Sequence, residues 1–246
     1  MAIGKKGEIT TAQIVTIIVL IVSFIVILYF FFRLNLGGTT NSEICHNSVV
    51  LKSKSSGLVG DLNCKTDYVC ISGGGSCNDL SPTETINVDS ANKEQIMKSI
   101  ADQMVNCWYE FGEGKLNTAD RTLLGNGDCA ICSVIAFDTN VLGKNQITYE
   151  DFYNYLKNTP KDTSQTYLQY LYGVSDLDTL QNSYPLLKNN LNNPVLSGTK
   201  YAIVTGYKKG LAWGAGFWGN GNILPTYLPT DQISSQVGCT DFVTQS

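Results

Sequence analysis

Residues 9–32 carry no charge, and from Ile14 onward the stretch is apolar almost throughout. A helix rises ~1.5 Å per residue, so about 20 such residues cross a hydrocarbon core ~30 Å thick. The polar interruptions Thr16 and Ser23 can return their hydroxyls to the carbonyl one turn earlier, which a helix in lipid tolerates. The run is longer than the apolar region of a cleaved secretory signal. Phe30-Phe31-Phe32-Arg33 stands where a small-x-small cleavage site would be needed. The expectation is a single membrane-spanning helix within residues 1–34, with the lipid bilayer as its partner over 9–32.

The flanks predict its direction. Lys5 and Lys6 precede the run, and only Arg33 and then Lys52 follow it, which places the N-terminus inside and the rest outside. The eight cysteines, Cys45, Cys64, Cys70, Cys77, Cys107, Cys129, Cys132 and Cys239, all lie C-terminal to the run. That distribution suits an oxidising exterior in which thiols pair. The localisation expected is therefore a single-pass cell-membrane protein with an extracytoplasmic domain.

Lys5-Lys6-Gly7-Glu8-Ile9, running directly into the apolar stretch, resembles the class III signal of archaeal type IV pilins and archaellins. The resemblance implies cleavage after Gly7, a mature chain beginning at Glu8, and an apolar helix that becomes a filament core. A plain anchor that keeps Lys5 and Lys6 is the first expectation, and a pilin-like filament subunit the alternative.

Glycine, threonine and asparagine make residues 35–44 a tether, leaving 45–246 as one extracytoplasmic domain without internal repeats. A net charge of −4 without a basic cluster argues against a nucleic-acid partner. Four cysteines fall within 45–88, a segment that reads as a small β-rich, disulfide-dependent subregion. Ser48-Val49-Val50-Leu51 and Asp67-Tyr68-Val69-Cys70-Ile71 have strand composition there, and Ser72-Gly73-Gly74-Gly75-Ser76 marks a loop.

The clearest helix spans 91–111. It is capped by Asp89 or Ser90, stopped by Gly112, and striped by Ile96, Ile100, Met104, Cys107 and Phe111. A buried strand is expected at 130–137. A capping box at Thr148 and Asp151 opens a helix that Pro160 closes, and two short helices cover 166–173 and 176–182. Residues 200–207 alternate as a strand and turn back through Lys208-Lys209-Gly210 into 211–218, a β-hairpin. The fold class expected is α+β, one N-terminal transmembrane helix followed by a disulfide-braced domain.

Candidate chemistry is sparse. Cys129-Ala130-Ile131-Cys132 has the spacing of a thiol–disulfide site, but strand-like residues follow it instead of the helix whose N-terminus would activate the first thiol. Structural disulfides are the better reading, with connectivity open among 105 arrangements. A thiol–disulfide oxidoreductase is the enzymatic alternative. His46 is the lone histidine and decorates a strand start; no metal set and no cofactor are expected. Gly112-Glu113-Gly114-Lys115 lacks the spacing of a phosphate loop. The carboxylates Glu110, Glu113, Asp138 and Asp151 read as caps and solvated faces, so no catalytic residue is assigned. Trp213, Phe217 and Trp218, set among glycines, are candidate contacts for a protein or glycan partner.

Glu43 to Leu51, Cys64-Lys65-Thr66, the stretch from Asn106 to Lys115, Cys129 to Cys132 with Ala136-Phe137-Asp138, and Tyr201-Ala202-Ile203-Val204 together resemble single-span, cysteine-rich membrane proteins of DPANN archaea. The reading expected from the sequence as a whole is a membrane-anchored surface protein with a non-enzymatic binding or structural role, and the resemblance implies an archaeal membrane origin. It supplies no catalytic residue.

Overall fold

The computed structural model describes residues 11–35, 40–55, 62–115, 128–142, 146–183, 191–196, 198–207, 222–237, 241–242 and 244. Two units are distinct, Met1–Thr40 and Asn41–Ser246. The first is the helix α1, Thr11–Asn35, 25 residues long. Its described large apolar side chains between Ile14 and Tyr29 are 46–64% exposed on every side. Ser23 returns its hydroxyl to the Val19 carbonyl at 2.7 Å, as the sequence anticipates. The backbone length amounts to roughly 37 Å. Among the described residues alone, no helix is long and apolar enough to cross a membrane.

The second unit opens with a departure from expectation. Ser48-Val49-Val50-Leu51 is not a strand but part of helix α2, Asn41–Lys54. The helix also takes in residues expected to be tether. β-Branched residues at 49 and 50 favour strands only weakly, and burial of Cys45 and Val49 one turn apart on a single face outweighs that preference.

The sheet has the order β2 (Glu84–Asn87), β1 (Asp67–Ser72), β3 (Asp128–Phe137), β6 (Tyr201–Tyr207) and β7 (Asn222–Pro229). β1 and β2 are parallel, as are β1 and β3. β6 and β7 continue antiparallel, and β8 (Asp241–Phe242) pairs with the start of β3 beyond the reach of β1. The described strand that follows β6 and pairs with it is 222–229; the expected return strand at 211–218 lies outside the described residues. A two-stranded ribbon of β4 (Ile147–Thr148) and β5 (Pro194–Val195) stands apart.

Helix α3, Lys93–Glu110, crosses from β2 to β3 over the sheet. Asn92 caps it by accepting from the Gln95 N–H, in place of Asp89 or Ser90, and Gly112 (φ 77°) adopts the left-handed conformation that stops it. Ile96, Ile100, Met104 and Cys107 are fully buried against Val69, Ile71, Ile135 and Ile203, so the stripe read from the sequence is core. The same layer holds the single turn α4 (Thr139–Leu142), α5 (Tyr149–Asn158), α6 (Tyr167–Tyr172) and α7 (Leu177–Ser183). Both α5 and α6 begin with complete capping boxes, at Thr148 with Asp151 and at Thr166 with Gln169. Stacked Tyr201 and Tyr227, 4.8 Å between ring centroids, meet Phe152 of α5.

β6 shows its alternation in the packing. Tyr201 and Ile203 face the helices, while Ala202 and Val204 face a smaller core with Cys129, Leu228 and Ile233. Ile233 belongs to α8, Ile233–Gln236.

Three disulfides brace these layers: Cys45–Cys64, Cys70–Cys77 and Cys107–Cys132. Cys129 is disulfide-bonded as well. The Cys107–Cys132 bridge joins α3 to β3 and closes a separation of 25 residues. In the chain-entropy treatment such a loop contributes about 3–4 kcal/mol. Replacing both Cys107 and Cys132 with Ser is expected to lower the free energy of unfolding by about that amount. Denaturant titration of wild type and double mutant measures it, and equal midpoints would show that helix packing alone holds α3.

Candidate functional site

The end of α3 carries a carboxylate where a core residue belongs. Following the buried positions 96, 100, 103, 107 and 110, the helix places Gln103 and Glu110 on the face that meets the sheet. Glu110 is only 7% exposed. Burial raises its pKa from 4.5 to about 7; the Ser42 hydroxyl of α2 opposes the rise and the charge of Asp67 on β1 adds to it. Asp67 is itself pushed up, first by burial and then by Glu84 on β2. Gln103 donates to Glu84 at 3.2 Å. Ser133, in register with Asp67, is 2% exposed and leaves its hydroxyl without a partner. The result is a polar seam between α3, α2 and the sheet, built from acids and hydroxyls.

α2 covers this seam. His46 lies flat on Tyr109, 4.3 Å between ring centroids, and its Nδ1–H donates to the Tyr109 carbonyl at 2.6 Å. His46 is therefore a helix residue that clamps α2 to α3 and not the decoration of a strand. Glu110, read from sequence as a cap or solvated group, is buried. Its spacing of three from Cys107 was the available signal, because it continues the apolar stripe.

A second carboxylate organises the opposite end of the strands. β1 and β3 stop together, with Ile71 in register with Phe137. Asp138 follows β3 and is held inside the loop Ser72-Gly73-Gly74-Gly75. Its Oδ2 accepts from the Ser72 hydroxyl at 3.0 Å and from the Gly73 and Gly75 N–H groups at 2.9 and 2.6 Å. Oδ1 accepts from the N–H groups of Asn140 and Val141 at 2.9 and 3.0 Å. Burial works to raise this carboxyl, but these donors outweigh it and hold it below the usual carboxylate range. A side chain at Gly75 would bring its Cβ to 2.8 Å from Asp138 Oδ2. The glycine amides form an anion cradle that the protein's own carboxylate fills. Asp138, at 1% exposure, is thus no solvated group, and Asp151 is the cap expected of it.

The CxxC residues are not partners of each other. Cys132 sits where the β3–β6 register shifts between Ile131 and Ser133, and this irregularity turns it toward Cys107 in the helix-side core. Cys129 lies in the core on the other face of the sheet. Gly112-Glu113-Gly114-Lys115 is a clasp. Glu113 (φ 55°) takes an ion pair from Lys115 and a hydrogen bond of 2.6 Å from Tyr170. Among the described residues, no group of three acids, histidines or cysteines is placed to hold a metal ion. Trp213, Phe217 and Trp218, the Gly7–Glu8 junction and Cys239 lie outside the described residues. Among the described residues six cysteines join in three pairs, and Cys129 is disulfide-bonded as well. No protein family, curated protein or solved structure matches the chain.

Two outcomes follow from the carboxylates. Asp138→Ala orphans five donors at once and is expected to cost about 3 kcal/mol or more in thermal or denaturant unfolding. Glu110 acts on stability through pH. Its native pKa lies above the unfolded one, so its contribution is complete below 4.5 and is lost as pH rises to about 7. Unfolding free energy is expected to fall over that window by at most about 3 kcal/mol. Glu110→Gln should flatten the decline, and an identical decline in both proteins would remove Glu110 as its source.

Proposed function

We propose that this chain is a membrane-anchored extracytoplasmic protein with a binding or structural role, in which α1 holds the bilayer and the disulfide-braced α+β domain is presented outside. The observation that carries the reading is α1 itself: 25 helical residues whose described apolar side chains are bare on all sides. A helix apolar all round finds its partner in lipid or in other chains, because water solvates none of its faces. Lys5 and Lys6 ahead of it favour an N-terminus inside. Three cystines and a bonded Cys129 suit an oxidising exterior.

A non-enzymatic role agrees with how the polar groups are spent. Asp138 is saturated by backbone donors, Glu113 is clasped, and Cys132 is committed to a bridge across layers. An exchange catalyst needs its two CxxC sulfurs to alternate between thiols and a bond with each other, and the geometry of Cys129 and Cys132 offers no support for that cycle. The partner is taken to be a protein or glycan at the cell surface, with Trp213, Phe217 and Trp218 the residues offered to it.

The pilin-like reading shares the bare helix and differs in processing after Gly7. Fractionation and terminal analysis separate the readings. The anchored protein is expected to stay with membranes through alkaline carbonate washing, to lose its C-terminal domain to protease added to intact cells, and to retain Lys5 and Lys6 by mass spectrometry. Release by carbonate, or protection of the domain until lysis, would overturn the anchor or its orientation. A mature chain beginning at Glu8 would establish the filament-type alternative.

A further inference from the structure

α2 is held to the domain by three kinds of contact. Cys45 is bonded to Cys64, in the segment leading into β1. His46 stacks on Tyr109 and donates to its carbonyl. Cys45 and Val49, the buried residues of α2, share a small core with Leu62, Cys64 and the partly buried Phe111. Apart from the covalent tie, the helix rests on the final turn of α3, on Tyr109 and Phe111 to either side of the buried Glu110, with the buried Ser42 hydroxyl of α2 near its carboxyl group.

We propose that the α2–α3 joint is a proton-operated latch, with α2 seated on α3 while Glu110 carries a proton and lifted from it when Glu110 ionises.

The surroundings of Glu110 set the sign. A neutral carboxyl tolerates a covered site, whereas a carboxylate there lacks water and needs a cation or several donors. From β1 it faces Asp67, of like charge. Glu84 on β2 presses on Asp67 and takes the Gln103 amide. From α2 come Ser42, His46, whose Nδ1–H is engaged by Tyr109, and the exposed Glu43. Beyond the end of α3, Lys115 is committed to Glu113. Among the described groups, the Ser42 hydroxyl eases the charge without cancelling the upward push, so ionisation falls near neutral pH, at about 7.

Raising α2 admits water to Glu110 at small expense, because Cys45 and Val49 are the apolar side chains the helix buries. The Cys45–Cys64 bridge limits the travel and makes the motion reversible. α2 is the first element after α1 in the chain, so its release changes how many residues separate α1 from the folded core. The latch stands whether or not α1 crosses a bilayer.

The test is hydrogen exchange with mass spectrometry on the full chain in detergent, corrected for intrinsic rates, at about pH 5.5 and about pH 8.5. Wild-type α2 amides are expected to exchange about tenfold faster or more at the higher pH, since one unit of pKa corresponds to a factor of ten, while β3 and β6 keep their protection. Glu110→Gln should hold α2 protected at both values. Asp67→Asn, by removing the like charge, should move the wild-type transition to lower pH. Equal α2 protection of the wild type at the two pH values would overturn the latch, as would a wild-type response in Glu110→Gln. If β3 and β6 show that Glu110→Gln does not fold, Asp67→Asn decides: an unmoved transition refutes the proposal.

Discussion

The seating of α3 on the sheet is the constraint on which the domain depends. Four fully buried side chains of one helical stripe meet β1, β3 and β6, and Cys107–Cys132 locks the contact covalently. The lock exists because the register shift in β3 turns Cys132 toward the helix. Where α3 ends is equally consequential. Gly112 stops it beside α2, so its last turn becomes the surface on which α2 rests and the place where Glu110 is covered.

The buried and half-buried carboxylates divide into two kinds, and the difference is supply of donors. Asp138 ends β3 next to a glycine-rich loop whose amides are free of strand pairing, so it collects five hydrogen bonds and stays ionised. Glu110 ends a helix against strands whose amides are already spent on the sheet. It meets hydroxyls and another acid, and its proton is held more tightly.

Disulfides are distributed by layer. Cys107–Cys132 serves the helix side, Cys70–Cys77 lies with Ala136 in a separate small core, and Cys45–Cys64 retains α2. Such a domain keeps its shape without a large core on both faces of the sheet.

Local pattern in the sequence determined what depends on nearest neighbours. The stripe of α3, the capping box at Thr148, the glycine stop at Gly112 and the two faces of β6 were all legible, because helix and strand periodicities act over a few residues. The uncharged apolar run likewise made a helix legible there, and α1, Thr11–Asn35, is that helix. Tertiary structure alone decided that 48–51 is helical, which cysteines pair, and that Glu110 is buried while Asp138 is saturated. Each of these is set by residues tens of positions away, where cumulative burial and hydrogen bonding outweigh the small local preferences that a sequence displays.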